Sequence, residues 1–356
     1  MNNSISLSLL KDRILGSLLA AAIGDAMGSA TEQHQIDEII AEHGGLLDHL
    51  IPPPIDTFSY RGDGVAGYFT DDTSQMIALA EELIATQGKI TVKGWVNRLL
   101  DWATHSFYRD QMGPTTRPLL EAIARGESID HIGVVGKSNR KMTSMGVTNG
   151  AAMRVAPAGL IHPGDIEAAV QTAWVTCQPT HDTHIAAAGA GAIAAGCAAA
   201  LLPNADVAKV LDACLEGAKL GEALGSQQGR RVAGPSVYRR IEIALQEVQL
   251  AHSLEDALRR LEASVGNSVY MVESVPAAIG IFAFTSGNAL QCAIGGTNIG
   301  NDTDTIAAMA AALAGALNGN QALPAPLVEQ VNQANRVDFA VLATQLASVA
   351  FSNVCL

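Results

Sequence analysis

The sequence predicts an all-α fold: a compact single-domain bundle of about a dozen helices, with Ala- and Gly-rich helices at its centre. Three observations carry this expectation. Alternating apolar and polar runs, which a half-buried strand needs, are scarce. Several segments repeat apolar residues at helical spacing, as Leu254, Ala257, Leu258 and Leu261 do. Other runs, above all Ile185–Leu202 and Ile306–Leu317, contain almost nothing polar, which marks helices buried on every side. With 48% hydrophobic and 16% charged residues in 356, much of the chain must be interior. No internal repeat or composition shift divides residues 1–356, so one domain is expected. Its motif-bearing core covers 11–320, and closing helices lie in 321–356.

Taken in order, Lys11–Ala26 is apolar nearly all round and reads as a central helix. It runs into Gly24-Asp25-Ala26-Met27-Gly28. A carboxylate in such company must be paired, hydrogen-bonded or metal-linked, and a structural hydrogen-bond acceptor is the plainest role for Asp25. Glu32 lies two turns further on if the helix continues, as either a surface residue or a site residue. Ile36–His43 is a short amphipathic segment. Pro52-Pro53-Pro54 and Phe58–Gly64 exclude a regular element, leaving a loop that is a substrate-facing lid or an ordinary surface excursion. Thr70-Asp71-Asp72 stands just before a helix over about 73–86; one such residue is an ordinary cap, but two adjacent ionised Asp at a buried helix end repel each other.

Helices follow at Ile90–Tyr108 and Arg117–Arg125, then a Gly-, Ser- and Lys-rich loop at Gly133–Val147. Thr148–Pro157 enters another apolar helix through the turn signal Asn149-Gly150. Arg154 inside it needs a partner, most simply a salt bridge. Asp165 caps a helix to Cys177. Thr180-His181-Asp182-Thr183-His184 opens the long Ala/Gly helix. His181 and His184 share a face and could ligate a metal. With no Cys or third His nearby, contact with substrate or a structural hydrogen bond suits them better. Residues 205–224, 237–250 and 253–264 read as amphipathic helices, with Ser253 and Asp256 resembling a capping box. Glu273–Thr285 has Pro276 in its first turn. Residues 287–300 are expected to be broken at Gly295-Gly296, and helices near 327–335 and 338–351 finish the chain.

A net charge of −13 argues against a general nucleic-acid or anionic-membrane binder. Cys177, Cys197, Cys214, Cys292 and Cys355 are odd in number and show no CxxC spacing, so they read as reduced thiols in a cytoplasmic protein without a zinc site. No signal peptide is expected, since Asp25 closes the apolar run Leu15–Ile23. Ile185–Leu202 is long enough for a membrane span. Its Ala/Gly composition and its start beside His181, Asp182 and His184 favour a packed central helix instead.

The chemistry concentrates in two acidic knots. Gly300-Asn301-Asp302-Thr303-Asp304-Thr305 and Thr70-Asp71-Asp72-Thr73 each head an apolar run, and hard oxygens at that density suit Mg²⁺, Mn²⁺ or Ca²⁺. Together with Gly24–Gly28, Glu32, Asn149-Gly150-Ala151-Ala152-Met153-Arg154 and Thr180-His181, in this order, they resemble the ADP-ribosylglycohydrolase family. The resemblance implies an all-α hydrolase that cleaves the glycosidic bond between ADP-ribose and a protein side chain or small molecule, at a dinuclear Mg²⁺ or Mn²⁺ centre. It implies metal ligation by Thr70, Asp71, Asp72, Asp302, Asp304 and Thr305. Glu32 would assist metal binding or water activation, alongside Asp71 and Asp302 as catalytic groups. Asn149, Gly150, His181 and Asn301 would lie on the substrate side, and Asp25 would support the ligands from behind. Many members carry Gly where Asn301 stands. Pyrophosphate is expected at backbone amides and a helix N-terminus near Asn149, and the acceptor pocket at Phe58–Tyr68 and Gly133–Val147. The readings kept beside this one are an N-ribohydrolase acting on a nucleoside or nucleotide, a non-catalytic ADP-ribose-binding protein, and a structural Mg²⁺ site.

Overall fold

The structure is a computed structural model that describes residues 5–137 and 140–354. Cys355 and the loop positions 138–139 lie outside the described residues. Helices are labelled in chain order: α1 Leu7–Gly28, α2 Ile36–His43, α3 Asp71–Ala85, α4 Val92–His105, α5 Thr116–Ala124, α6 Ala156–Leu160, α7 Ile166–Cys177 and α8 His184–Ala200. The second half holds α9 Val207–Gln228, α10 Val237–Gln249, α11 Leu254–Ser264, α12 Met271–Phe284, α13 Ala289–Asn298, α14 Thr303–Asn318, α15 Ala325–Asn335 and α16 Phe339–Val354. Among the described residues there is no sheet, only isolated bridges. The fold is all-α, as the periodicity predicts.

The helices start where the capping chemistry says they should. Ser6, Thr70, Thr91, Asp165, Thr183, Asp206, Ser253 and Asn288 each accept a backbone N–H from the first turn that follows. The capping box expected at Ser253 is displaced: Ser253 Oγ accepts from Asp256 N at 3.1 Å, but Asp256 Oδ2 accepts from His252 N at 2.9 Å. The Ala/Gly run forms α8, buried along its whole length after His184. No single helix among the described residues is long and apolar enough to cross a membrane.

Small residues decide how the centre packs. Gly16, Ala20, Gly24 and Gly28 recur every four residues and so share one face of α1. That face lies antiparallel along α14. A Cβ on Gly24 would come 2.6 Å from the Ala307 carbonyl oxygen, and one on Gly28 would come 2.5 Å from that of Thr303. Ser17 Oγ donates to the Ala312 carbonyl at 2.9 Å, and Thr303 Oγ1 to the Gly28 carbonyl at 2.8 Å. This seam sets the C-terminal end of α1 beside the first turn of α14. A second seam joins α8 to α9, where a Cβ on Gly191 would come 2.7 Å from the Gly217 carbonyl oxygen.

Four local expectations are corrected. Residues 289–298 form one unbroken helix, because Gly296 serves close packing: a Cβ there would sit 2.2 Å from Ala307 Cα. The helix α1 ends at Gly28, so Glu32 lies in the turn beyond it. Thr148–Pro157 is a 3-10 turn, Asn149–Ala151, followed by the short α6. Helix α12 starts at Met271, which places Pro276 inside it, without the N–H that would reach the Val272 carbonyl. The four described cysteines are buried free thiols, raised by burial to about 12 for Cys177, Cys197 and Cys292, and so inert.

The α1–α14 seam tolerates no added bulk. Gly24→Ala should lower the unfolding free energy by about 1–3 kcal/mol, read from urea midpoints. A wild-type midpoint would show that the two helices separate at no cost.

Candidate active site

A cavity of about 480 Å³ opens where four distant segments converge. That volume is in the range of small-molecule sites. Its wall holds Glu32 from the turn after α1, Thr70, Asp71 and Asp72 from the start of α3, Thr148, Asn149 and Gly150 from the 3-10 turn, and Asp302, Asp304 and Thr305 from the start of α14. Phe58, Ser59, Val269 and the segment from Asp110 to Arg117 complete it.

Each acidic residue is there for a local reason. Asp71 and Asp72 occupy the first turn of α3, and Asp304 the first turn of α14, with Asp302 at its cap. Helix N-termini carry partial positive charge and unpaired N–H groups, so carboxylates are tolerated there as they would not be mid-helix. Asp25 sits behind them at the end of α1. Its carboxylate accepts from Thr70 N at 2.9 and 3.1 Å, from Thr73 N at 3.0 Å and from Thr73 Oγ1 at 2.5 Å, and so closes the N-terminus of α3 from outside. Asp71 Oδ2 accepts from Gln75 Nε2 at 2.8 Å, Asp304 Oδ1 from Thr305 N at 2.8 Å, and Asp302 Oδ2 from Asn149 Nδ2. Asp72 Oδ2 is buried without any hydrogen-bond partner.

The sequence profile of the ADP-ribosylglycohydrolase family matches residues 6–353. The chain belongs to the ADP-ribosylglycohydrolase family. Membership makes it a hydrolase of the glycosidase class. Among its relatives, the protein YegU of Escherichia coli K12 is 34% identical over 346 residues, 94% of this chain and 96% of that protein. ADP-ribosylarginine hydrolase Tri1 of Pseudomonas putida GB-1 is 27% identical over 326 residues, 90% of this chain and 74% of that protein. ADP-ribosylhydrolase ARH3 of Homo sapiens is 26% identical over 345 residues, 88% of this chain and 87% of that protein. A solved structure titled as an ADP-ribosylglycohydrolase-related protein complex has the same fold, with a TM-score of 0.66 at 22% identity over 96% of this chain and 99% of that one.

Within this family frame, the six residues from Thr70 to Thr305 that the resemblance assigns to metal all stand in the cavity wall, with Glu32 and the pair Asn149–Gly150. All six carry oxygen donors suited to a hard cation, and the described wall residues include no Cys or His. As the side chains stand, no three His, Cys, Asp or Glu among the described residues converge to enclose an ion. Asp71, Asp302 and Asp304 each give an oxygen to the local donors named above. His181 and Asn301 are outside the wall. His181 packs behind Gly150, where a Cβ would lie 3.1 Å from the ring, and hydrogen-bonds Thr148. Asn301 has φ 60°, the left-handed region that favours Gly and tolerates Asn. Its backbone is tied to the turn before α2, with Asn301 N donating to His34 O at 2.9 Å and Gln33 N to Asn301 O at 2.7 Å. His184 caps nothing in the cavity and lies half-buried at the head of α8.

Two expectations about the substrate side change. The helix N-terminus near Asn149 is a single 3-10 turn, and the Asn149 N–H is already given to the Val269 carbonyl at 2.8 Å. The described residues of the loop 133–147 contribute nothing to the wall; the segment 110–117 does. Only Gly113-Pro114, a break between two helical patterns, hints at it in the sequence. Arg117, the one cation in the wall, gives its guanidinium to the carbonyls of Asp110 and Met112. Among the described residues Arg154 makes no salt bridge; it bonds Gln75, Thr180 and the Thr176 carbonyl instead.

The electrostatics follow from this crowding. Burial, and then the charge of Asp304, holds Asp71 and Asp72 well above the ordinary carboxyl range and pushes Asp302 up to about 8 and Asp25 to about 7. Glu32 is raised by burial and by Asp304, Asp302 and Asp71. Unfolded carboxyls titrate near 4. Between there and about 8 the folded chain keeps protons that the unfolded chain has lost, so stability falls as pH rises. Each such proton is worth about 1.4 kcal/mol per pH unit. In EDTA, urea midpoints should decline steadily from about pH 5 to about pH 8; a flat or rising profile would contradict the assignment of these carboxyls to one crowded wall.

Proposed function

We propose that this protein hydrolyses the glycosidic bond between ADP-ribose and an acceptor, a protein side chain or a small molecule, at a dinuclear Mg²⁺ or Mn²⁺ centre. The observation that carries the reading is the convergence of Glu32, Asp71, Asp72, Asp302 and Asp304 on one cavity wall in a member of this family. The donor set fits hard divalent cations. It is made of carboxylates and threonine hydroxyls, the buried Arg154 offsets only part of its charge, and Asp72 Oδ2 is buried without a partner. Thr70, Asp71, Asp72, Asp302, Asp304 and Thr305 would hold the ions. When bound, such ions lower the pKa of a water and fix ribose hydroxyls beside it.

The chain's own groups do the rest. Glu32 reaches the wall from a turn rather than a helix; burial and the neighbouring carboxylates hold its proton on, and cations that neutralise those carboxylates would free it to take the proton of the attacking water. The water oxygen bonds to the anomeric carbon as the bond to the acceptor heteroatom breaks, through an oxocarbenium-like transition state. Asn149 steadies Asp302 through its Nδ2 and stands beside Gly150, whose missing side chain lets the His181 ring pack against the turn from behind. Phe58, Ser59 and residues 110–117 form the mouth, where the acceptor would leave.

Isothermal titration should show ADP-ribose binding with Mg²⁺ or Mn²⁺ present and its loss after EDTA. Metal-independent binding, or none, would remove the dinuclear reading or the ligand respectively. In release assays on ADP-ribosyl-arginine and ADP-ribosyl-serine, Asp302→Asn and Glu32→Gln should each lower kcat by about 100-fold or more with the fold intact by circular dichroism. Full turnover in either variant would rule out its assigned role.

A further inference from the structure

Arg154 lies in the segment between the 3-10 turn and α6 with no solvent exposure, and among the described residues it is the one Lys or Arg that is buried. A guanidinium never serves as an acceptor and stays charged, so at that depth every partner must accept. NH1 donates to Gln75 Oε1 at 2.6 Å and NH2 to Thr180 Oγ1 at 2.9 Å, while Cζ stands 5.5 Å from the centre of the Trp95 ring. A third acceptor, the Thr176 carbonyl, lies 3.5 Å from NH2; Gln75 and Thr180 lead on into the cavity wall. On one side Gln75 Nε2 donates to Asp71 Oδ2 at 2.8 Å, one helical turn back along α3. On the other, Thr180 Oγ1 meets His181 Nδ1 at 2.8 Å, His181 Nε2 meets Thr148 Oγ1 at 2.9 Å, and Thr148 Oγ1 donates to Thr115 Oγ1 at 2.9 Å.

The direction of this chain is set from its far end, where Thr148 donates to Thr115 and so accepts from a neutral His181. Thr180 Oγ1 accepts from Arg154 and gives its own proton to His181 Nδ1. Nε2–H then donates to Thr148, whose hydroxyl proton goes to Thr115. Burial, with Arg154 close by, keeps His181 neutral, as this arrangement requires.

We propose that Arg154 is a positioning residue that sets two parts of the cavity wall from one buried charge: Asp71 through Gln75, and Thr148 through Thr180 and His181. This rests on the reading that Asp71 holds a cation and that the Thr148–Gly150 turn faces the ribosyl substrate. The two arms are separable by near-isosteric changes that leave the wall residues in place. Gln75→Met cuts the arm to Asp71, Thr180→Val cuts the arm to His181, and Arg154→Lys loosens both.

The test is calorimetric titration of each purified variant with MgCl₂ alone, and with ADP-ribose at saturating Mg²⁺, alongside melting curves. Gln75→Met should weaken Mg²⁺ about tenfold or more and leave ADP-ribose affinity within about twofold. Thr180→Val should do the reverse, and Arg154→Lys should weaken both. A merely structural Arg154 would lower melting temperatures and leave the affinities of the folded variants at wild-type values; that result overturns the proposal. If Arg154→Lys does not fold, the opposite patterns of the other two variants decide. Wild-type protein that takes up no Mg²⁺ overturns the cation reading and the proposal with it. Wild-type protein that takes up Mg²⁺ but no ADP-ribose removes the substrate reading alone, and the Mg²⁺ affinity of Gln75→Met then decides.

Discussion

Mutual repulsion among carboxylates is the interaction around which this molecule is arranged. Asp71, Asp72, Asp302 and Asp304 are all buried beside one cavity, with Glu32 at its edge and Asp25 immediately behind. In a medium of low polarisability such charges repel over the full width of the site. The fold offsets this with oriented dipoles. Both acidic knots sit at helix N-termini, and the amides of Thr70, Thr73 and Thr305 point at carboxylate oxygens. Asp25, at the wrong end of its own helix, is tolerated because it takes over the amides that open α3. The remaining imbalance is what a divalent ion would remove.

Support and selectivity are built from different material. The support is helical and drawn from the most deeply buried parts of the chain: α1, α3 and α14, held by glycine seams and by hydroxyls that reach across to carbonyls. The mouth is made of irregular segments, Phe58-Ser59 and residues 110–117, joined by a hydrogen bond from Gln111 Nε2 to Ser59 Oγ at 3.2 Å. Loops displayed by a rigid scaffold can change their side chains without disturbing the groups beneath. Substitutions in these segments would reshape this part of the cavity wall and leave the helix ends beneath it in place.

The acidic knots were legible in the sequence because the surroundings made them conspicuous. An Asp at the head of an Ala-rich run has no solvent to lie in, so Asp71, Asp72, Asp302 and Asp304 announced both a buried helix start and a need for compensation. The all-α architecture was legible for the same reason that Ile185–Leu202 was, through long runs with no polar interruption. Features that depend on a remote partner were not. Gly295-Gly296 looked like a break because glycine lowers helix propensity locally, and nothing nearby reveals that Ala307 will press against it. Arg154 suggested a salt bridge, yet its acceptors are uncharged: the Gln75 amide, the Thr180 hydroxyl and the Thr176 carbonyl. The 110–117 segment enters the wall through the path of the backbone, and its composition is that of an ordinary connection.

The α1–α14 seam also governs when the site can exist. Ser17 and Ala312, joined across it, are 295 residues apart in the chain, and Gly28 and Thr303 are 275 apart. On the ribosome α1 is made early and its partner late. Through that interval the glycine face of α1 has nothing to close on, and the cavity lacks Asp302 and Asp304. Contacts of such long range form slowly and leave apolar surface open to aggregation while they wait. Synthesis that stops short of α14 yields a chain with half a wall and an uncovered helix, so translation must pass α14 before the cavity wall can close.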